Sequence, residues 1–338
     1  MSARPPFIAN VSDLPSKKFR YPGSNEEQGR TTPLAAPLGL PRIGVNHQLL
    51  MPGERSSWPH AEELEEEFAY ILEGAPDVWI DGELHRLRAG DAVAFLPLTN
   101  IAHCVINNSD APVRLLGIGE NFAHSRITYP CNPIRQEQLK PEQWWNDAPQ
   151  RPLGAHDGLS NLLRGEIFSQ AAIDRPSFIR HVSDLTSEIG HYPNSNEAFS
   201  CGTPLSRPLG LSRVGVHHEL VPPGRRTSLP HAEELEEEFV YVLEGAPDLW
   251  IDGELHRLAE GDAVAFAPGT GIAHTAINNT RQPVRLIVMG EQHPQNRCFF
   301  PLHPQRMEMM RPTLRWNEAP VRVRGSHDGL PDALRETR

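Results

Sequence analysis

The chain is poor in cysteine, with only Cys104, Cys131, Cys201 and Cys298 among its 338 residues. None of the four has a cysteine at the equivalent position of the internal repeat described below, and no CxxC spacing occurs. A disulfide inherited through duplication would be present twice, so we interpret these residues as free thiols. The missing CxxC spacing also argues against a zinc site built from four cysteines.

The chain also lacks long apolar runs and an excess of positive charge. No apolar stretch approaches the roughly 20 residues of a membrane-spanning helix, and the N-terminal residues carry no apolar segment typical of a signal peptide. Lys and Arg number 32 against 43 Asp and Glu, which gives a formal net charge of −11. Because nucleic-acid binding needs clustered positive charge, we predict no nucleic-acid partner. The missing apolar segments predict that the chain has no membrane partner and is cytoplasmic.

What the chain does contain is an internal repeat with an offset of 171 residues. Residues 60–95 return as residues 231–266 with 31 of 36 positions identical, and the offset holds from Phe7 to Leu159 without a net insertion. A period this long indicates a duplicated domain, because the units of solenoid repeats are about 20–50 residues long.

The repeat predicts two domains of ordinary size, each able to bury its own core. We place the N-terminal domain at residues 1–159, with a barrel core at about 40–120. A helical linker is predicted at 160–176, and a C-terminal domain at 177–338 with a barrel core at about 211–291.

Patterns typical of β-strands recur through each copy. Residues 42–50 alternate, with His47 on the apolar face, where it is either a structural residue or one that lines a site. Asp81-Gly82 separates two apolar runs, which is a strong hairpin signal. Residues 67–72 fit either an amphipathic helix or a short strand, and we favour the strand because clear strand patterns follow it. Strands at this spacing predict an all-β fold, either a barrel or a sandwich.

Each copy also carries a histidine, then a run of carboxylates, then a later histidine. In the first copy the candidates are His60, Glu62, Glu67 and His103. Alternate residues of a strand share one face, so His60 and Glu62 can both point inward. A ligand set of nitrogen and oxygen atoms without a thiol suits Mn²⁺, Fe²⁺ or Zn²⁺. The alternative is that the carboxylates form a solvated acidic face and the histidines are structural.

These motifs resemble those of the cupins. The first cupin motif runs Gly, H-x-H, Glu, Gly, and its counterparts here are Gly53, His60, Glu62, Glu67 and Gly74. The second motif runs Gly, P-x-G, His, Asn, and its counterparts are Gly90, Pro97, His103 and Asn107, with the spacing to Pro and His changed by one residue. The second copy repeats both motifs. The resemblance implies a bicupin, made of two antiparallel jelly-roll barrels joined by short helical linkers, with a metal site in the mouth of each barrel.

The main departure from the cupin pattern is a glutamate in the position of the second histidine. The resemblance implies one divalent metal per domain, here with two His and two Glu as ligands. The full set is His60, Glu62, Glu67 and His103 in the first copy and His231, Glu233, Glu238 and His274 in the second. Alternatively, Glu62 and Glu233 serve as general bases beside a metal with three protein ligands.

The resemblance leaves two functional hypotheses open, because similar cupin sites serve many reactions. The first is a metal-dependent enzyme of the dioxygenase, isomerase, decarboxylase or lyase type that acts on a small polar metabolite. The second is a non-catalytic protein that binds a metal or small ligand, in a regulatory role. A homodimer is also implied by the resemblance.

Overall fold

The computed structural model describes residues 4–165 and 175–335, and it confirms the predicted all-β fold of two barrels. In the first half, the strands are β1 (Ile8–Asn10), β2 (Lys17–Arg20), β3 (Glu27–Pro33), β4 (Ile43–Leu50), β5 (Ala61–Glu62), β6 (Glu67–Glu73), β7 (Asp77–Ile80), β8 (Glu83–Arg86), β9 (Asp91–Phe95), β10 (His103–Ile106), β11 (Val113–Glu120) and β12 (Ile127–Thr128).

The second half repeats this order. Its strands are β13 (Ile179–His181), β14 (Glu188–Ile189), β15 (Cys201–Pro204), β16 (Val214–Val221), β17 (Ala232–Glu233), β18 (Glu238–Glu244), β19 (Asp248–Ile251), β20 (Glu254–Arg257), β21 (Asp262–Phe266), β22 (His274–Ile277), β23 (Val284–Glu291) and β24 (Cys298–Phe299).

Short helices lie outside the barrels. They are α1 (Ile134–Gln138), α2 (Asn161–Arg164), α3 (Pro304–Met309) and α4 (Asp332–Arg335), with single 3-10 turns at Val11–Asp13, Ala36–Leu38, Pro141–Gln143, Val182–Asp184, Arg207–Leu209 and Pro312–Leu314. The predicted helical linker begins with α2, whose Ser160 cap accepts a hydrogen bond from the Leu163 amide. The rest of that prediction, at 166–174, lies outside the described residues. None of the helices described is long and apolar enough to cross a membrane.

Each barrel pairs a large antiparallel sheet with a small one. The first barrel has the strand order β13-β9-β6-β11-β4-β3-β2 against β10-β7-β8, and the second has β1-β21-β18-β23-β16-β15-β14 against β20-β19-β22. The halves exchange their first strands, because β1 pairs with β21 and β13 pairs with β9. The predicted domains, 1–159 and 177–338, assign each first strand to its own half, whereas the strand joins the sheet of the other half.

The stretch that fitted either a helix or a strand is the central strand β6. It pairs with β9 on one side and β11 on the other. Its alternation divides its side chains between two environments. Phe68 and Tyr70 pack into a core cluster shared by both barrels, whereas Ala69 and Ile71 pack in the separate core of the first barrel. The strand prediction is therefore confirmed.

A buried carboxylate joins each barrel to the other. Glu66 is 2% exposed and accepts hydrogen bonds of 2.9 Å from the backbone amides of Ser212, Arg213 and Val214. In the opposite direction, Glu237 accepts from the backbone amide of Ile43 at 2.8 Å. Hydrogen bonds to a charged acceptor contribute about 1.5–3 kcal/mol each, so these contacts stabilise the packing of one barrel on the other.

We predict that Glu66→Gln lowers the free energy of unfolding by about 2–4 kcal/mol, because an amide NH₂ would then face backbone N–H donors that need an acceptor. Denaturant unfolding of the full chain measures the change. The matched control is Glu83→Gln at an exposed position of β8, with an expected change below about 0.5 kcal/mol. Equal stability of the two variants would contradict the assignment.

A second prediction concerns His47 and His218, which are each 6% exposed. Burial, reinforced by the positive charges of Arg114 and Arg285, lowers the pKa of each imidazole from 6.5 to about 4. The folded protein therefore keeps both rings neutral, while the unfolded chain binds protons below pH 6.5. Stability from each ring is fully present above that pH, and up to roughly 3 kcal/mol is lost as the pH falls towards 4.

We expect His47→Gln with His218→Gln to lose less stability than the parent between pH 6.5 and pH 4. Denaturant unfolding at a series of pH values measures the two slopes. His124→Gln, at an exposed position, is the control and keeps the parent slope. Parallel curves for parent and double variant would show that these rings do not contribute to acid sensitivity.

Candidate metal centre

Two histidines and a glutamate from three segments meet inside the first barrel. His60 and His103 face each other through a backbone bridge, and Glu67 begins β6 in the large sheet of the same barrel. The His103 Nε2 lies 3.2 Å from Glu67 Oε2, and the His60 Nε2 lies 3.6 Å from Glu67 Oε1. Each residue offers one ligand atom, and these atoms all lie within 4.8 Å of one another. The group can therefore hold one metal ion.

The second barrel contains the same arrangement. The His274 Nε2 lies 3.3 Å from Glu238 Oε2, and the His231 Nε2 lies 3.7 Å from Glu238 Oε1. The three ligand atoms again lie within 4.8 Å of one another. Both copies have thus kept a His–Glu–His cluster with the same geometry.

The backbone holds the histidine rings in the orientation that a metal ligand needs. The His60 Nδ1 lies 2.9 Å from the Trp58 carbonyl oxygen, and the His103 Nδ1 lies 3.1 Å from the Ile101 carbonyl oxygen. A carbonyl only accepts, so each Nδ1 carries a proton and each Nε2 faces the cluster, where it can bind an ion once it has lost its own proton. The His103 ring also stacks on Phe95, with ring centroids 3.4 Å apart. These residues fit a divalent ion.

The charges within the cluster are strongly coupled. Burial raises the pKa of Glu67, but the two imidazoles outweigh this effect and hold the pKa well below its ordinary value. Burial lowers the pKa of His60, but the hydrogen bond to Glu67 and its charge outweigh burial and raise the pKa to about 9. The carboxylate and the imidazoles therefore stabilise one another in the absence of an ion.

Glu62 and Glu233 lie beside the clusters and are held by other partners. The Glu62 Oε2 accepts from the Ser125 hydroxyl at 3.0 Å, and the Glu233 Oε2 accepts from the Asn296 amide at 2.6 Å. The Glu233 Oε1 lies 3.7 Å from the His231 Nε2. Burial, together with the negative charge of Glu67, raises the pKa of Glu62 to about 8. Their role as ligand or general base stays a prediction.

The first cluster forms part of the wall of a cavity of about 470 Å³. Several polar lining residues were not identified from the sequence, namely Asn46, Gln48, Ser56 and Ser57. The alternation of β4 contained the signal for two of them, because positions 46 and 48 lie on the face opposite His47. His47 itself lines a separate cavity of about 440 Å³ with Tyr70 and Tyr241, between the two barrels.

The cysteines play no part in either cluster. All four are free, and only Cys104 is fully buried. The prediction of free thiols agrees with the structure.

Paired antiparallel barrels that each enclose a His–Glu–His cluster define the class of this protein as a double β-barrel with a candidate metal site in each half. The Cupin domain family matches residues 46–119 and 217–290, once in each half. The chain is therefore a tandem bicupin of the cupin superfamily, as the motifs predicted. Among curated proteins, none matches the chain significantly.

Solved structures with the same fold include other bicupins. The chain is similar to Lactobacillus farciminis oxalate decarboxylase in a formate complex, with a TM-score of 0.56, 14% identity and 92% of each chain covered. It is similar to a mutant of Bacillus subtilis oxalate decarboxylase, with a TM-score of 0.56, 13% identity, and 91% of this chain and 82% of that chain covered. For the E. coli protein Ylba the TM-score is 0.52 at 12% identity, with 84% and 90% covered. At this identity the likeness concerns the fold.

We predict that His60→Ala with His231→Ala removes most of the bound metal. The parent is expected to hold about two equivalents of divalent ion per chain, one for each cluster, and loss of an imidazole ligand weakens each site. Elemental analysis of tag-free protein measures the content. His124→Ala is the exposed control and keeps the parent content. Unchanged metal in the double variant would remove the ligand assignment.

Proposed function

We propose that this bicupin is a metal-dependent enzyme that acts on a small polar metabolite, with one divalent ion (zinc, iron or manganese) in each barrel. The observation that carries the proposal is the placement of the first cluster. Backbone carbonyls orient both imidazoles, and their Nε2 atoms and the Glu67 carboxylate converge at the wall of a cavity of about 470 Å³. Sites for small molecules have volumes of about 300–1,000 Å³.

The residues of the cluster and those beside it suit metal binding and proton transfer. A divalent ion held by His60, Glu67 and His103 supplies Lewis-acid polarisation of a carbonyl or carboxylate oxygen. The Ser125 hydroxyl binds Glu62 Oε2, which leaves Oε1 to take or give a proton. We assign this general-base role to Glu62 in the first barrel and to Glu233 in the second.

Decarboxylation is one of four reaction types that such a site supports, beside isomerisation, lyase chemistry and dioxygenation. The fold shared with the L. farciminis and B. subtilis oxalate decarboxylases favours small carboxylic acids as substrates to assay first. The residues of the cluster do not distinguish these types, because the same His–Glu–His set would hold zinc, manganese or iron, and the chemistry supplied would depend on the ion.

We predict that Glu62→Gln with Glu233→Gln keeps metal and fold but lowers turnover by about 10²–10⁴-fold, since an amide cannot accept the proton. The assay is NMR detection of products from a panel of small hydroxy and keto acids with metal-loaded protein. Glu83→Gln with Glu254→Gln, both exposed, is the matched control and keeps full turnover.

Two outcomes would change the proposed function or the proposed role of Glu62 and Glu233. If the parent binds metal and retains panel compounds without converting any of them, the protein is a metal-dependent binding protein and not an enzyme. If the double glutamine variant loses its metal, Glu62 and Glu233 are ligands and not general bases.

A further inference from the structure

Each barrel has the same His–Glu–His cluster, but the space beside the cluster differs between the two barrels. In the first barrel, alternate residues of β4 line the cavity, and Asn46 lies directly opposite Gly117 of β11. A methyl group added at Gly117 would meet no atom within 4 Å, so this level of the cavity is open.

The corresponding level of the second barrel carries two larger side chains. The same register places His217 of β16 opposite Val288 of β23. Side chains directly opposite each other on neighbouring strands have Cβ atoms about 4.5–5.5 Å apart, so an imidazole and an isopropyl group fill space that Gly117 leaves free. Val288 also packs against the core cluster of the second barrel.

The entrance is also narrower in the second barrel than in the first. In the first barrel, Asn121 donates to the Pro41 carbonyl at 2.9 Å, and the atom nearest to a methyl group added at Gly44 would be a backbone oxygen at 3.6 Å. In the second barrel, a methyl group added at Gly215 would lie 2.8 Å from the Gln292 Nε2. The longer Gln292 therefore reaches over its strand and narrows the entrance.

The charge of the cavity wall differs as well. Gln48 of the first barrel corresponds to Glu219 of the second, whose carboxylate accepts from the Ser200 hydroxyl at 2.5 Å. This adds a carboxyl group to a barrel that already contains Glu233 and Glu238, and burial raises the pKa of Glu219. The first barrel presents a neutral amide at the same place, able both to donate and to accept a hydrogen bond.

We propose that the first barrel binds the organic substrate and that the second barrel admits only small molecules to its metal. The inference rests on the proposed metal sites. The substrate is an oxygen-rich metabolite with a single carboxylate and a hydroxylated remainder, which the Asn46 and Gln48 amides orient. Among the described residues that line the first cavity there is no Lys or Arg, so a second carboxylate would find no cation beyond the metal.

The test uses the full chain loaded with Co²⁺ at both clusters and two probes of different size. Azide is small enough for both barrels. Gluconate, a polyhydroxy monocarboxylate, fits only the first. Titration of the cobalt absorption bands is expected to show that azide perturbs all of the bound cobalt and gluconate perturbs half of it. A gluconate response of all the cobalt, or of none while azide responds, would overturn the inference.

Variants that exchange cavity residues between the barrels show which barrel binds gluconate. Gly117→Val is expected to weaken the gluconate response at least tenfold and to leave the azide response unchanged. The reverse combination His217→Asn, Glu219→Gln and Val288→Gly is expected to extend the gluconate response to all of the cobalt. If Gly117→Val does not fold, Asn46→His replaces it and is expected to weaken gluconate binding by filling the same level of the cavity. Retained gluconate binding in the folded first-barrel variant contradicts the inference.

The two proposals fail in different ways. A chain that takes up no cobalt, and therefore responds to neither probe, removes the metal sites and with them the proposed function. A chain with two cobalt ions that both respond to both probes keeps the metal sites and removes only the difference between the barrels.

Discussion

The buried carboxylates Glu66 and Glu237 connect the arrangement of the barrels to the metal centres. Glu66 binds three backbone amides of the second half, while its neighbour Glu67 belongs to the first cluster. Neighbouring residues at the start of β6 therefore point in opposite directions, one to the other barrel and one to the site. Any shift of one barrel against the other would move Glu66 and so the strand that carries Glu67. The packing of the barrels and the geometry of the site therefore depend on each other through the peptide bond between Glu66 and Glu67.

The strand patterns, the repeat and the cupin-like motifs made the fold predictable, and the motifs placed His60, Glu67 and His103 in one predicted set of four residues. The separate roles of the carboxylates between His60 and Glu67 could not be predicted from the sequence. Its carboxylates look equivalent in the sequence, yet Glu63 pairs with Arg126, Glu65 accepts from the Phe122 amide, and Glu66 binds the other barrel. Each of these partners comes from a distant segment, so local pattern could not distinguish a ligand from a structural carboxylate.

The strand exchange escaped prediction for a related reason. Ile8–Asn10 and Ile179–His181 occupy equivalent places in the repeat. Pairing within one copy or across the two copies therefore satisfies the same alternation and the same hydrogen bonds. Only the position of the barrels decides between them, and that position depends on the shared core and on the buried carboxylates. The exchange in turn ties each sheet to the other half of the chain.

Duplication explains why the two sites could diverge without loss of the fold. His60 and Glu67 lie in the segment 60–95, which is identical to 231–266 at 31 of 36 positions, whereas the cavity residues Asn46 and Gly117 lie outside it. Their counterparts His217 and Val288 keep the strand register, so the substitutions change the space and polarity of one cavity at little cost to the sheet. Because backbone carbonyls orient the imidazoles in both barrels, the changes on the facing strands leave the arrangement of each cluster intact. The same architecture therefore accommodates two different sets of wall residues around the same candidate cluster in one chain.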